Sequence, residues 1–454
     1  MGVIIRYIVF LLCLYPCCVY GQGEICGSVY LTKKVIANNS SARKSLDSIS
    51  VSAARISPTY RVDFDSAYPI PVIFHFILNS SQIAILGGEA GIIERLDSQM
   101  KIINRAFCGE NLDKNKIPAP FQSVAGNAGI RFGLAHQSPQ GRPCPGYEIV
   151  STTKEGFELN GAYGSTFAYS DAKYSASFGA DAWDPSTYLN VWVINPLDDG
   201  FASNLLSVTI PPSFVSAFSL PMNECGVIVH FGCLGYKTTM SEYFIYNRTS
   251  GATLIHELGH FFQIWHTWGD DDGLCPDNGG QDDGLSDTPP QANFSHGCPT
   301  FPFFDRCSPP DTEKSVMFMN YMDYSDDTCR CMFTKQQAHV MKSSLDILDG
   351  YFSLTKHPNA LSYPDPDFNV QSQLDSFIIY PSPTSGFFNV FFYQTSTHLK
   401  RIQVLNEIGQ SIFDKRISDQ MSCYPIELTP NSNGVYIVYL YFDKSVSAKK
   451  IVKI

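Results

Sequence analysis

Residues 255–266 read IHELGHFFQIWH, and this stretch constrains the fold more than any other part of the chain. His256 and His260 stand four apart, so on an α-helix they share one face, one turn above the other. Two neutral imidazoles so placed can converge on a single Zn²⁺, with Glu257 beside the position they leave open. His266 follows six residues after His260, too far round the helix to join them unless the helix stops and the chain turns back. The pentapeptide alone is also compatible with a helix carrying two hydrogen-bonded histidines, and it is the third histidine that favours a metal.

The rest of the composition sets the context. A chain of 454 residues with 44% hydrophobic content can bury a full core and suggests two or three domains. Its 32 basic and 43 acidic residues give a net charge of −11, without a long Lys/Arg run, which argues against a nucleic-acid or anionic-membrane partner. At the N-terminus, Arg6 precedes an apolar run from Tyr7 to Val19 and then Gly21, the pattern of a secretory signal peptide over residues 1–21. The run is too short to cross a bilayer, which takes about 20 apolar residues. A lipid anchor at Cys17 or Cys18 fits poorly because Pro16 precedes them. Export would put the eleven later cysteines, from Cys26 to Cys423, in an oxidising compartment, where most are expected in disulfides with at least one left over.

Texture divides the chain further. Residues 22–66 are polar and Ser-rich and read as a pro-segment. YPIPVIFHFIL (68–78) and YLNVWVI (188–194) read as buried strands. IIERLDSQMKIINRAF (92–107) spaces Ile93, Leu96, Met100, Ile103 and Phe107 as an amphipathic helix does. Residues 67–355 form one domain, 356–376 a Pro- and Asp-rich linker, and 377–454 a small β-sandwich of short alternating strands.

Downstream of the histidines, MFMNYMDYSDD (317–327) puts Met322 in a polar turn with Tyr324 two residues on. Alone, Met322 would read as core packing. Together with HExxHxxxxxH it resembles the Met-turn of metzincin metalloproteases. DAWDPSTYLNVWVINP (181–196), TLIHELGHFFQIWHTW (253–268), DGLSDTPPQ (283–291) and NYMDYSDDTC (320–329) narrow the resemblance to the pappalysin family, in its cytophagalysin-like branch. The resemblance implies an α+β metzincin domain, a mixed twisted sheet with long helices around a cleft. It implies that His256, His260 and His266 hold zinc, that Glu257 is the general base, that Met322 underlies the site and that Tyr324 is the phenol beside the metal. Gln263 stands where that motif carries Gly. A left-handed conformation there costs Gln about 1–2 kcal/mol more than Gly.

The acidic loop 270–287, with Asp270, Asp272, Asp282, Asp283 and Asp287, suits either a solvated surface or a hard cation, and the resemblance implies Ca²⁺. The resemblance also implies disulfides Cys275–Cys298 and Cys307–Cys329, and a preference for Arg or Lys after the scissile bond, with Asp326 and Asp327 in the pocket wall. Cys26, in GEICGS ahead of the catalytic domain, could occupy the metal's open position as a latency switch or serve as an ordinary disulfide partner. YPSPTSG (380–386), GVYIVYL and the terminal KKIVKI resemble the sorting domain of the bacterial type IX secretion system, which implies that machinery as a partner. The reading is a secreted zinc endopeptidase acting on proteins or peptides. A non-catalytic binding relative and a surface adhesin are the competing classes.

Overall fold

The computed structural model describes Cys26 and Gly27, residues 69–158, 169–197 and 205–361 apart from short stretches, and most of 377–453. The signal peptide, the pro-segment other than Cys26 and Gly27, and residues 362–376 of the linker lie outside the described residues. Among the described residues no helix is long and apolar enough to cross a membrane.

The first unit is organised by strand β1 (Ile70–Leu78), buried at all nine positions. A nearly continuous apolar run is what a central parallel strand needs, because helices or loops cover both its faces, and the one polar residue, His75, is paired with Glu148 and Asn190. β1 pairs in parallel with β2 (Phe132–Leu134) and β3 (Tyr147–Ser151) on one side and with β4 (Leu189–Ile194) on the other. β6 (Gly226–His230) continues the sheet in parallel, and β5 (Ser207–Ile210) closes it as an antiparallel edge strand. Helix α1 (Gly88–Phe107) buries Ile93, Leu96, Ile103 and Phe107 against the sheet, and Met100 packs at the margin. The predicted periodicity is therefore the buried face. α2 (Pro212–Phe218) follows the edge strand, α3 (Ala252–Phe261) lies against β5 and β6, and α4 (Lys335–Tyr351) follows the loops below. Part of the predicted linker is not a spacer. Pro358–Leu361 forms a turn whose Ala360 carbonyl accepts from the amides of His136 (2.7 Å) and Gln137 (3.3 Å).

The C-terminal unit has two antiparallel sheets. β7 (Phe377–Tyr380), β8 (Phe387–Phe392) and β11 (Cys423–Glu427) form one; β9 (Leu399–Asn406), β10 (Ser411–Arg416), β12 (Gly434–Phe442) and β13 (Val446–Lys453) form the other. Along β12 the buried residues are Tyr436, Val438, Leu440 and Phe442, every second one, as a half-buried strand requires. They meet Phe388, Val390, Tyr424 and Ile426 of the other sheet in a single core. This is the expected Ig-like sandwich.

The cysteines depart from expectation. The disulfides are Cys275–Cys307 and Cys298–Cys329, with Cα separations of 5.2 and 5.7 Å. Cys275–Cys298 and Cys307–Cys329 are not formed, because the loops stack in a different order. Arg306 donates to the Gly273 carbonyl, bringing Cys307 beside Cys275. The Asp326 amide donates to the Gly297 carbonyl at 2.8 Å, laying Cys298 beside Cys329. Nor are most cysteines bridged: Cys108, Cys144, Cys225, Cys233 and Cys331 are single thiols. All but Cys108 are buried and act as small apolar side chains. Burial pushes the thiols of Cys144, Cys225, Cys233 and Cys331 up to about 12. Non-reducing peptide mapping should recover the 275–307 and 298–329 linkages; recovery of 275–298 would refute this loop arrangement.

Candidate metal centre and active site

Helix α3 carries the first two histidines, and all ten of its residues are buried. It begins after Gly251, whose φ of +70° sets the entry turn. Its first turn is capped from a distance: Asp327 Oδ2 accepts from the amides of Ser250 and Ala252, both at 3.2 Å. Asp327 is 1% exposed and is also paired with Arg330 and, at 3.5 Å, with Arg248. The helix start and the two arginines thus engage the carboxylate that the family resemblance places in a pocket wall. A buried carboxylate needs donors, and two guanidiniums and a helix start supply them.

The helix ends within two residues of His260. Gln263 takes φ +70°, its amide donates to the His260 carbonyl at 2.9 Å, and the Ile264 amide donates to the Gly259 carbonyl at 3.0 Å. These are the paired bonds of a Schellman cap, with Gln in the position Gly usually fills. The left-handed backbone costs about 1–2 kcal/mol. A hydrogen bond from Gln263 Nε2 to Ser213 Oγ at 2.6 Å offsets part of it, of order 1 kcal/mol. The chain then swings back and delivers His266.

The three rings converge. The Nε2 atoms of His256, His260 and His266 lie 3.1, 3.1 and 3.0 Å apart. Each Nδ1 faces an acceptor: the Tyr321 carbonyl for His256 (2.7 Å), the Ile264 carbonyl for His260 (2.7 Å) and the Asp270 carboxylate for His266 (2.8 Å). A proton on Nδ1 leaves the Nε2 lone pair pointing inward. Burial, and then the neighbouring rings, hold His256 and His260 well below the usual imidazole range, so they are neutral donors. Three lone pairs aimed at one point form a donor set that a cation would satisfy. Ligands about 2.0–2.1 Å from a tetrahedral Zn²⁺ sit roughly 3.3–3.4 Å apart, so the triangle fits zinc.

Glu257 is fully buried on the same helix. Ser207 Oγ and Thr209 Oγ1 of edge strand β5 each donate to one of its carboxylate oxygens at 2.6 Å. Burial raises the carboxyl's pKa, while these hydroxyls and the Cys26 thiol pull it back down. No motif marks Ser207 and Thr209. Their i, i+2 spacing in SVTI, which puts two hydroxyls on one strand face, is the only sequence signal.

The floor is the Met-turn. A Cβ on Gly259 would come within 2.5 Å of Met322 Sδ, so the sulfur packs directly on the helix between the two histidines. Arg248 donates to the carbonyl of Ser325 (3.0 Å) and Arg330 to that of Asp323 (3.3 Å), fixing the turn's backbone. Tyr324 is buried, with ring centroids 5.5 Å from His256 and 5.0 Å from His266. Trp268 stacks on His266 at 4.3 Å. Cys26 lies in the same cluster: its sulfur and the histidine ligand atoms are all within 4.8 Å of one another. Its segment bridges to Ser207 in parallel, with the Gly27 amide donating to the Ser207 carbonyl at 2.8 Å.

The acidic residues separate by role. Asp270 faces His266, with both carboxylate oxygens 2.8 Å from Nδ1. Asp287 accepts from Thr334 Oγ1 (2.8 Å) and the Gln336 amide (2.9 Å) at the start of α4. Asp282 accepts from the Gly284 amide. Asp283 is buried; one oxygen accepts from Leu285 and Thr288, and the other has no hydrogen-bond partner among the described residues. Asp272 lies outside the described residues. Asp326 remains half-buried at the surface of the turn.

A family model described as pregnancy-associated plasma protein-A matches residues 172–346, and one described as a secretion system C-terminal sorting domain matches 378–454. An extracellular metalloprotease of Neurospora crassa is 41% identical over 112 residues, 25% of this chain and 36% of the relative. One from Pyricularia oryzae is 43% identical over 93 residues, 20% of this chain and 29% of the relative. The chain thus spans between 27% and 52% of the length of curated relatives such as these. The solved structure of a Tannerella forsythia promirolysin is 30% identical, with a TM-score of 0.60 over 75% of this chain and 100% of that one. Mature mirolysin in complex with a cleaved peptide is 33% identical, with a TM-score of 0.53 over 66% and 99%. The sorting domain and the extracellular relatives make this a secreted or cell-surface protein. With the histidine cluster inside the matched segment and a homologous structure covered along its whole length, the chain belongs to the pappalysin, or pregnancy-associated plasma protein-A, family of metallopeptidases.

Proposed function

We propose that the chain is a zinc-dependent endopeptidase exported through the type IX machinery and held latent by its own Cys26. The observation that carries this reading is the triangle of imidazole nitrogens 3.0–3.1 Å apart with the Glu257 carboxylate on the same helix. When bound there, zinc supplies the positive charge that acidifies a water molecule and polarises the scissile carbonyl. Glu257 takes the proton from that water and passes it to the departing amine. Ser207 and Thr209 hold the carboxylate in place from the edge strand. The outer edge of β5 offers backbone pairing to an extended peptide, and the Tyr324 phenol stands by to stabilise the oxyanion.

Specificity for a basic residue after the cut then falls to Asp326, since Asp327 is committed to its arginines. A peptide-library digest tests both ideas. Wild type should enrich Arg or Lys immediately after the cut, and Glu257→Gln should keep zinc while losing about 10²–10⁴-fold in turnover. Near-normal turnover in that variant would sink the general-base role. Cleavage mainly before large apolar residues would sink the basic preference.

Latency follows from the position of Cys26. Its sulfur shares the histidine cluster and its backbone takes the β5 edge, so metal and peptide path are blocked together. The Cys26→Ala precursor should be more active than the wild-type precursor; equal activities would count against the switch.

A calcium ion is assigned to the 282–287 loop around the unpartnered oxygen of Asp283. Burial raises that carboxyl well above its usual range, a cost that a hard cation would remove. Calorimetric titration should detect Ca²⁺ binding that Asp283→Asn abolishes. Equal binding by both proteins would exclude this residue.

A further inference from the structure

The three histidines are not held alike. His256 and His260 donate from Nδ1 to main-chain carbonyls that the fold fixes anyway. His266 instead faces the Asp270 carboxylate, with both oxygens 2.8 Å from Nδ1 and the Asp270 side chain only 11% exposed. The opposite restraint on the same ring is the Trp268 indole, stacked at 4.3 Å with an interplanar angle of 10°. His266 is also the ligand that no helix supports: it lies on the return segment that follows the turn at Gln263.

Asp270 holds this contact from an unfavourable backbone. Its φ is +60°, in the left-handed region where a glycine would sit without steric penalty. A side chain kept in such a conformation indicates that the carboxylate itself is needed. Local turn geometry does not explain it, because Gly would satisfy that turn better.

We infer that Asp270 is a positioning residue for the metal, fixing the tautomer and orientation of His266 and adding negative charge behind the ligand, so that zinc is held by a carboxylate–histidine pair on the one ligand outside the helix. The inference rests on the zinc reading proposed above. Partners of this kind set ligand basicity and ring orientation, and their loss typically lowers metal affinity by about 10–100-fold. Asp270 was among the residues expected to bind calcium, and its contact with His266 gives it this different task.

The test uses the full chain, stripped of zinc by a chelator and titrated with Zn²⁺ against a chromogenic competitor. Asp270→Gly removes the carboxylate while suiting the left-handed backbone. It should weaken zinc binding by about 10–100-fold and leave the melting temperature of the zinc-free protein unchanged or higher. Asp270→Asn tolerates the same backbone and keeps an acceptor without the charge, so its affinity should fall between wild type and D270G. A residue needed only for folding would lower zinc affinity and zinc-free stability together, and that result would overturn the proposal. So would a D270G affinity within about threefold of wild type, against the tenfold or more expected, or any order other than wild type, D270N, D270G. A wild-type chain that binds no zinc would overturn the metal reading and the clamp with it, whereas zinc binding indifferent to position 270 would overturn the clamp alone.

Discussion

The metal centre depends on a reversal of chain direction directly after helix α3. Two ligands come from a rigid helix and the third from a chain that must double back beneath it, so the reversal at Gln263 decides whether three nitrogens meet. Two Schellman hydrogen bonds close the helix, and the side-chain amide of Gln263 ties the corner to Ser213 at the start of α2. The return segment contains a second non-glycine residue at positive φ, Asp270, at its far end. Backbone strain is thus concentrated at the two ends of one eight-residue stretch, and each end is anchored by its own side chain.

A second segment, residues 320–330, grips the same helix at several heights. The Asp327 carboxylate caps its start, the Tyr321 carbonyl orients His256, and the Met322 sulfur rests on Gly259. The segment is stiffened by Arg248 and Arg330, which both pair with Asp327 and both donate to turn carbonyls. Asp323 extends the linkage: it accepts from Gln291 Nε2, and Gln291 Oε1 accepts from Thr267, the neighbour of His266. Helix, return segment and Met-turn therefore share one hydrogen-bonded frame, which holds ligands from separate elements against one another.

Much of this frame was legible in the amino-acid order, and the reason is periodicity. The run from Ile70 to Leu78, apolar at eight of nine positions with His75 as the exception, admits little except a doubly covered strand, and the spacing of His256, His260 and His266 admits few geometries. What stayed hidden depends on side-chain direction. Asp327 and Asp326 are adjacent and chemically identical, yet one is sealed against two arginines and the other is half-buried. Ser207 and Thr209 carry no motif; their partnership with Glu257 exists only because β5 lies over α3. The disulfide pairing depends on how four loops stack, and chain order does not encode that.

The buried single thiols have a consequence for how this protein survives outside the cell. A thiol reacts through its thiolate, so a rise from 9.0 to about 12 at Cys144, Cys225, Cys233 and Cys331 lowers the reactive fraction roughly a thousandfold near neutral pH. Their protection is a property of the folded chain alone. In the unfolded chain the same sulfurs are exposed beside those of Cys275, Cys298, Cys307 and Cys329, and any of them can be captured in a wrong bridge. The native pairing is reached either when the sheet closes over its thiols before the four loop cysteines are joined or when thiol–disulfide exchange undoes the wrong bridges.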